Sequence, residues 1–374
     1  MTNNLGEVKK TNHELLTIAN QFTSGDRAIE VQQYGSGNIN STFLVTRDSQ
    51  PPFILQRINT AVFCQPDLVM NNICLLSNYV SQRLEQNNRH LNRRWSIPQV
   101  LFTSQQHCYW IGSDSSFWRA ISFIDNSQSF DTIQDLQHGQ EIGYGLGMFH
   151  NLIEDLPLDR LADTLEGFHI TPNYLRHYHQ VRSSTKIESS PEINYCLQFI
   201  SDRPNLPYVL ESAKALGKLK LRTIHGDPKI NNIMIDCSTK QAVAMIDLDT
   251  VKPGLIHYDI GDCLRSGCNP LGEETENWSQ VTFEPELARA ILQGYLSVTR
   301  DFLTAHDYEY IYDSIRLLAF ELGLRFFTDY LEGNVYFGAK SPHHNLQRAL
   351  VQFKLTASIE AQAAVIKQMI EELQ

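Results

Sequence analysis

The stretch that most constrains the fold runs from residue 223 to residue 247, TIHGDPKINNIMIDCSTKQAVAMID. A short β-like segment leads into a polar loop, His225 to Asn232, which is followed by two apolar runs, IMID and AVAMID. The turn CSTK separates those runs, as is typical of a β-hairpin. Because a hairpin brings the chain back to where it started, we expect Asp247, at the end of the second strand, to lie beside the loop.

Four side chains in and after this loop form a candidate catalytic set. Asp227 can accept a proton from a hydroxyl group, and Lys229 can face a transferring phosphoryl group. Carboxylate and amide oxygens are hard ligands that suit Mg²⁺, so Asn232 and Asp247 are predicted to hold that metal. The order His-x-Asp-x-Lys-x-x-Asn, then a hairpin, then Ile-Asp is the order found in protein-kinase-like folds.

The pattern of apolar residues changes near residue 126. Before it, short β-branched and aromatic runs between Ile29 and Arg57 predict antiparallel strands, residues 67–84 predict a long helix, and CYWIG with FWRAISFID predicts a further hairpin. After it, helical spacing recurs in four stretches: 142–153, 206–216, 285–296 and 308–331. The C-terminal ASIEAQAAVIKQMIEEL also has helical spacing, and we expect this helix to pack on its own domain.

Composition excludes several classes of protein. The formal net charge is −11, and no cluster of Lys and Arg forms a stripe, so a nucleic-acid partner is disfavoured. Seven scattered cysteines without a Cys-x-x-Cys pair predict free thiols in a reducing compartment, so we expect a cytoplasmic protein. No apolar run approaches membrane-spanning length, so we expect no membrane partner.

The motifs HGDPKINN, IDLD and YDIGD resemble those of the aminoglycoside phosphotransferase and choline kinase superfamily. Longer strings, YGSGNINSTFLV, ILQRINT, IDLDTVKPG, FELGLRFFTDYLEGNVYF and HNLQR, resemble the N-acetylhexosamine 1-kinases within it. The resemblance implies an α+β, bilobal protein-kinase-like fold. Its N-lobe, residues 1–125, would be a small antiparallel sheet with one long helix, and its C-lobe, residues 126–374, would be larger and mainly helical.

The same resemblance implies an activity and a set of site residues. The activity is transfer of phosphate from ATP, with Mg²⁺, to the anomeric hydroxyl of N-acetylglucosamine or N-acetylgalactosamine. Asp227 would be the base and Asn232 and Asp247 the metal ligands. The nucleotide would contact Gly35, Ser36, Gly37, Asn40, Gln56, Phe123 and Asp125, and the sugar would contact Asn38, Asp227, Arg325 and Tyr336.

Two positions depart from the kinase pattern. Asn40 stands where the glycine-rich loop would have its third glycine, and Gln56 stands where a strand would carry the phosphate-binding lysine. A divalent ion together with Lys229 can balance the phosphate charge that such a lysine would meet. Asp249 is an additional carboxylate beside Asp247, and its role stays open.

Each candidate residue also has a structural alternative. Arg325 can simply pair with Glu321 or Asp329 at helical spacing, and Tyr336 can be a half-buried aromatic. His225 is expected to brace the loop rather than act as a base. We expect Asp259 and Asp262 to bond nearby backbone, and the acidic run 273–276 to be a solvated loop.

Other functions share this catalytic set. A related kinase acting on choline, an aminoglycoside or homoserine would need the same residues, although Arg325 would repel a cationic substrate. A nucleotide-binding pseudokinase is a second alternative, because Gln56 replaces the lysine. Retention of all four candidate catalytic residues argues against it.

We predict that Asp227→Asn abolishes phosphoryl transfer and preserves nucleotide binding. The amide cannot accept the proton of the attacking hydroxyl group, whereas the nucleotide does not depend on that proton. Release of ADP and equilibrium binding of a nucleotide are the two measurements. Turnover retained in the variant would remove Asp227 from the role of base.

Overall fold

The computed structural model describes residues 10–35, 39–87, 93–186 and 189–374. The chain divides into two compact units. The first comprises Met1–Asn126, Asp159–Leu165 and Leu248–Val251, and the second comprises Ser127–Leu158, Glu166–Asp247 and Lys252–Gln374. The division predicted at residue 125 did not foresee that Asp159–Leu165 and Leu248–Val251 belong with the first unit.

The first unit is an antiparallel sheet accompanied by two helices. Its strands lie in the order β1-β2-β3-β6-β4, and β5 pairs with β6. The elements, in chain order, are α1 (Asn12–Ala19), β1 (Ala28–Gln33), β2 (Ser41–Arg47), β3 (Phe53–Ile58), α2 (Pro66–Asn87), β4 (Val100–Leu101), β5 (Trp110–Ile111) and β6 (Phe117–Ser122).

The sheet, the hairpin and the long helix of this unit confirm the sequence predictions. Inward-facing residues of the strands, such as Val45, Phe53 and Leu55, are buried together with Leu15 and Ile18 of α1. Helix α1 was not predicted, because the N-terminal sequence is mostly polar and the helix is short. Its start is fixed by a capping box, in which Thr11 and Glu14 exchange hydrogen bonds between side chain and backbone.

The second unit is mainly helical and contains two small antiparallel sheets. One sheet has the order β10-β9-β7, and the other pairs β11 with β8. The elements are β7 (Ser127–Gln128), α3 (Leu136–Ile153), α4 (Thr171–Ser184), α5 (Pro191–Ser201), α6 (Val209–Ala215), β8 (Arg222–Ile224), β9 (Ile233–Asp236), β10 (Ala242–Met245), β11 (Lys252–Gly254), α7 (Ile256–Gly267), α8 (Pro285–Thr299), α9 (Ala305–Glu309), α10 (Ile311–Leu331), α11 (His344–Ala361) and α12 (Ala363–Leu373).

The predicted hairpin is present as β9 and β10, with Met245 opposite Ile233. The α+β class, with an N-terminal antiparallel sheet and a helical C-terminal part, is likewise confirmed. Helices α4, α5 and α7 were not predicted, although buried residues recur at helical spacing in α4 and α5, while α7 is buried along nearly its whole length. The C-terminal stripe is two helices, since the chain breaks at Gln362 between α11 and α12. Among the described residues, the helices include none with the length and apolar character that a membrane crossing demands.

Helices α3 and α8 pack so closely that backbone meets backbone. A β-carbon at Gly143 would lie 1.8 Å from the carbonyl oxygen of Ile291, and one at Gly294 would lie 1.9 Å from that of Gln140. Real β-carbons do not approach backbone atoms so closely, so each helix needs a glycine where it crosses the other. Since α3 also packs against β10, this contact positions the hairpin.

We predict that Gly143→Ala lowers the free energy of unfolding by about 3 kcal/mol, because the helices must separate to admit the methyl group. Gly139→Ala, on the same helix, is the matched control, since its β-carbon would meet a side-chain methyl at 3.3 Å. We expect the control to change stability by about 1 kcal/mol or less, because alanine also favours helix. Urea unfolding of both variants decides; equal midpoints would contradict the close helix contact.

Candidate active site

The candidate catalytic loop joins β8 to β9 in the second unit. Gly226 adopts a φ of 89°, in the left-handed region that favours glycine, so the residue between His225 and Asp227 has little freedom to change. The loop ends in one turn of 3₁₀ helix, Ile230–Asn232, which leads directly into β9. The polar side chains therefore sit on a short, conformationally constrained segment.

Asp259, from α7, holds the beginning of this loop. Its carboxylate is fully buried and accepts the backbone N–H groups of His225, at 2.7 Å, and Gly226, at 2.9 Å. It also pairs with His150 at 2.8 Å, and the other ring nitrogen of His150 contacts the Tyr295 hydroxyl at 3.0 Å. Burial opposes the charge, but these partners outweigh it and lower the pKa of Asp259. The expectation that Asp259 bonds backbone is confirmed.

His225 braces the loop, as predicted. Its Nε2 donates to the carbonyl oxygen of Ile246 at 2.9 Å, and its Nδ1 accepts the N–H of Asp227 at 3.3 Å. One donating and one accepting nitrogen describe a neutral ring, and burial lowers the pKa of His225 accordingly. A neutral, fully buried imidazole that is engaged in this way is a structural support for the loop.

His169 holds the loop through the peptide group that follows Gly226. Its Nε2 lies 2.6 Å from the carbonyl oxygen of Gly226, and its Nδ1 lies 2.8 Å from the carboxylate of Glu321. Both partners are acceptors, so both ring nitrogens must donate, which only the charged imidazolium can do. Burial disfavours that charge, yet Glu321 outweighs burial and raises the pKa of His169. Sequence reasoning missed this residue, because no local motif contains both His169 and Glu321.

Asp227 and Lys229 form an ion pair, with Nζ and Oδ2 3.1 Å apart. Both side chains keep part of their surface exposed, 29% for Asp227 and 37% for Lys229. The pKa of Lys229 is raised, first by the charge of Asp227, against a smaller opposing effect of burial, and further by Glu273, Asp247 and Asp262. Lys229 is therefore a permanent cation among carboxylates, beside the side chain predicted to act as base.

Asn232 and Asp247 are brought together by backbone contacts around the end of β10. The N–H of Ile246 donates to the carbonyl oxygen of Asn232 at 2.9 Å. Asp247 follows with a φ of 62°, a left-handed conformation that aspartate tolerates better than most residues and that redirects the chain. The predicted neighbourhood of the loop and the strand end is therefore present within the second unit.

The donor atoms at these two residues fit Mg²⁺. The amide nitrogen of Asn232 donates to the carbonyl oxygen of Asp227 at 2.7 Å, which fixes the side chain and leaves its amide oxygen as the remaining polar atom. That oxygen and the carboxylate of Asp247 are hard ligands. Across the described residues, no group of three or more His, Cys, Asp or Glu forms a metal cluster. A sparse oxygen set of this kind suits Mg²⁺, which usually retains water and phosphate ligands.

Arg325, on α10, lies among aromatic rings. Its guanidinium carbon is 4.9 to 5.8 Å from the centroids of four rings: Phe168, Tyr174, Tyr336 and Phe337. Burial opposes its charge, but Tyr174 and Tyr336, followed by Glu321 and Asp227, outweigh burial and raise the pKa of Arg325. Among the described residues Arg325 has no ion pair. Glu321 is engaged with His169 and Thr171, so the helical ion-pair alternative is wrong.

Asp329 positions the segment that carries Tyr336. Its carboxylate accepts the backbone N–H groups of Val335, Tyr336 and Phe337 at 2.7 to 3.0 Å. Tyr336 itself is 43% exposed, and its ring packs edge-on against Phe337. One carboxylate thus fixes the turn after α10, so that two aromatic side chains approach Arg325.

The residues predicted to contact the nucleotide belong to the first unit, and hydrogen bonds link two of them through shared partners. Gly35 has a φ of 72°, whereas Ser36, Gly37 and Asn38 lie outside the described residues. Asn40 and Gln56 enter one hydrogen-bonded network. Phe123 and Asp125 lie apart from it: Phe123 packs edge-on against Tyr34, and the exposed Asp125 pairs with Arg94.

Two expectations about acidic residues are wrong. Asp262 does not bond nearby backbone; it accepts two hydrogen bonds from the guanidinium of Arg265, at 2.7 and 2.9 Å. Glu273 is no solvated loop residue, because it pairs with Arg265 at 3.1 Å and with Arg348 at 2.8 Å. Burial opposes the effect, but these two cations lower the pKa of Glu273 to about 2. The pair of Asp262 with Arg265 is local, since both lie on α7, whereas the two cations that meet Glu273 come from α7 and α11, which local sequence cannot show.

Several residues around the candidate site carried no sequence signal. Phe168 and Tyr174 approach Arg325 from one stretch near residue 170, and no sequence motif singles them out. In the first unit, Arg119 carries a weak signal of its own, since an arginine within the apolar strand FWRAIS must find a buried partner.

Comparison with known proteins gives a consistent result. A family model described as "Phosphotransferase enzyme family" matches residues 30–306. An aminoglycoside phosphotransferase from Alicyclobacillus acidocaldarius has 16% identity and a TM-score of 0.63 over 99% of both chains. A microcompartment-associated aminopropanol kinase has 16% identity and a TM-score of 0.61, over 94% of this chain and 98% of its own. A choline kinase from Cryptosporidium parvum has 16% identity and a TM-score of 0.60, over 96% and 97%. These likenesses establish the fold.

We predict that the charge on His169 makes the protein less stable at alkaline pH. A folded-state pKa above the ordinary value of 6.5 means that the charge stabilises fully below pH 6.5. That stabilisation is lost as the pH rises through the raised pKa, so His169→Gln is expected to flatten this part of the profile. His177→Gln, which removes an exposed histidine paired with Glu332, is the control. Unfolding free energies measured from pH 6 to 9 test this, and identical profiles for wild type and His169→Gln would contradict it.

Proposed function

The chain belongs to the phosphotransferase enzyme family, and we propose that it transfers the terminal phosphoryl group of ATP to the anomeric hydroxyl of an N-acetylhexosamine. N-Acetylglucosamine and N-acetylgalactosamine are the proposed acceptors. The catalytic part of the proposal is supported by Asp227, Lys229, Asn232 and Asp247, which the second unit places around one loop and one strand end.

The proposed acceptor is based on the residues that surround Arg325. A cation bordered by four aromatic rings presents apolar faces and a fork of N–H donors, which suits a neutral, hydroxyl-rich molecule with an amide carbonyl. Asp227 contributes to the electrostatic environment of Arg325, so the two lie in the same region of the second unit. A permanent positive charge there disfavours choline and aminoglycosides, which are themselves cations.

The chain's own residues have distinct tasks in this reaction. Asp227 accepts a hydrogen bond from the attacking hydroxyl, orients it, and takes its proton late, because an ordinary carboxylate is a weak base toward an alcohol. Lys229 stays protonated and offers positive charge to the transferring group. Asn232 and Asp247 would hold Mg²⁺, which neutralises charge on phosphate oxygens when bound. An anomeric hydroxyl is more acidic than an ordinary alcohol, which eases the transfer to Asp227.

We further propose that the protein works in the cytoplasm and has neither a nucleic-acid nor a membrane partner. All seven cysteines are free thiols, which suits a reducing compartment. The net charge of −11 disfavours binding to a phosphate backbone.

The direct test is ADP release with ATP and Mg²⁺ against a panel of N-acetylglucosamine, N-acetylgalactosamine, choline, an aminoglycoside and homoserine. We expect turnover with an N-acetylhexosamine, and loss of turnover in Asp247→Ala. Turnover with choline or homoserine alone would contradict the proposed sugar acceptor, whereas the proposed phosphoryl transfer would stand. Nucleotide binding without ADP release from any acceptor would indicate a pseudokinase.

We predict that Arg325→Met raises the KM for the sugar by about tenfold to 100-fold and changes the KM for ATP little. The variant loses the hydrogen-bond donors and keeps most of the apolar stem, so the effect should fall on the acceptor. Arg316→Met is the matched control, because Arg316 lies on the same helix and pairs with Asp313. Steady-state kinetics of both variants are the measurement. An unchanged sugar KM would remove Arg325 from the acceptor site.

A further inference from the structure

Both departures from the kinase pattern meet in one buried network of the first unit. Gln56 occupies the place of the strand lysine and Asn40 the place of the third glycine. Each makes a side-chain hydrogen bond to a member of one ion pair, that of Arg119 with Asp249. Asp249 is the additional carboxylate to which the sequence assigned no role.

Arg119 supplies a cation from the strand next to position 56. It lies on β6 directly opposite Gln56 in the strand register. Its Nε and Nη2 donate to the side-chain oxygen of Gln56 at 2.9 and 2.7 Å, and its Nη1 lies 2.5 Å from the carboxylate of Asp249. The side chains of Arg119 and Asp249 are only 2% and 3% exposed. A lysine at position 119 could not reproduce this arrangement, because it lacks the planar fork that serves two acceptors at once.

Besides Arg119, two other residues of the first unit contact Asp249: Asn40 and Thr164. The second carboxylate oxygen of Asp249 accepts the amide N–H of Asn40 at 2.7 Å. The amide oxygen of Asn40 in turn accepts the backbone N–H of Asn59 at 2.9 Å. The hydroxyl of Thr164 donates to the backbone carbonyl of Asp249 at 2.9 Å. Asn40, at the end of the glycine-containing loop, is therefore bound to the carboxylate of Asp249, two residues beyond Asp247.

We propose that Arg119 is a positioning residue that replaces the missing strand lysine. By neutralising and fixing Asp249, it sets the conformation of the segment that follows the metal-binding Asp247 and the position of Asn40 at the end of the nucleotide loop. Arg119 acts through Asp249 and does not itself contact the nucleotide. The inference rests on the phosphotransferase family and on the metal role proposed for Asp247, and it is independent of which acceptor is used.

A purely structural ion pair would behave differently. Removing one partner leaves a buried charge uncompensated and destabilises the unit whether or not its position matters for nucleotide binding. A positioning role predicts a more specific effect, on the binding of nucleotide together with Mg²⁺. Binding therefore has to be compared with and without the metal, in variants whose folding is checked by thermal unfolding.

The experiment is calorimetric titration of ADP, in Mg²⁺ and in EDTA, into wild type, Arg119→Gln, Asp249→Asn and the double variant. We expect each single variant to weaken Mg²⁺–ADP binding by about tenfold and ADP binding in EDTA by about twofold or less. The double variant should be no worse than either single, because both act through one pair. Arg47→Gln, on strand β2 of the same sheet, is the control and should bind as wild type.

One further double variant keeps the test decisive if Arg119→Gln folds poorly. Gln56→Lys combined with Arg119→Gln moves the cation to the usual strand position beside Asp249, and we expect it to recover most of the Mg²⁺-dependent affinity. Wild-type affinity in Arg119→Gln, an equal loss with and without Mg²⁺, or no recovery in the exchanged variant would each overturn the proposal. Absence of sugar turnover alongside normal Mg²⁺–ADP binding would instead count against the proposed acceptor alone.

Discussion

The candidate active site of the second unit depends on how the backbone of one residue, Gly226, is held on both sides. Its N–H donates to the buried carboxylate of Asp259, and its carbonyl oxygen accepts from the buried ring of His169. Buried charged groups must be compensated, and the pairs of Asp259 with His150 and of His169 with Glu321 provide that compensation. Asp227 follows this peptide directly, so its position is set by charges on four separate parts of the chain.

Local pattern was sufficient for the elements that make the site. The hairpin, the polar loop and the placement of Asn232 beside the strand end follow from a few consecutive residues, and so does the antiparallel sheet of the first unit. Helices α1, α4, α5 and α7 were not predicted: α1 is short, the helical spacing of α4 and α5 was overlooked, and α7 buries charged residues such as Asp259 and Arg265 that no sequence pattern marks as core. Roles of single residues within a motif were likewise predictable for His225 and Asp259, because each contacts backbone near a fixed point of the loop.

Long-range partners could not be predicted from the sequence. Glu273 has the appearance of a solvated residue until Arg265 and Arg348 approach it from two helices. The rings around Arg325 come from residues near 170 and near 336, which no periodicity connects. Arg119 and Asp249 are separated by more than a hundred residues. Their ion pair explains why positions 56 and 40 carry Gln and Asn, since each of these side chains hydrogen-bonds to one member of the pair. In each case the missing information was which distant residues the fold brings into contact.

The most direct measurement is the position of the new phosphate on the product. N-Acetylglucosamine and N-acetylgalactosamine carrying ¹³C at C1 would each be incubated with the protein, ATP and Mg²⁺, and the products examined by ³¹P NMR. We expect a phosphate signal split by coupling to the labelled C1, which is lost when Asp247 is replaced by Ala. A phosphate on another hydroxyl, without coupling to C1, or release of inorganic phosphate alone, would contradict the proposal that this chain is an anomeric sugar kinase.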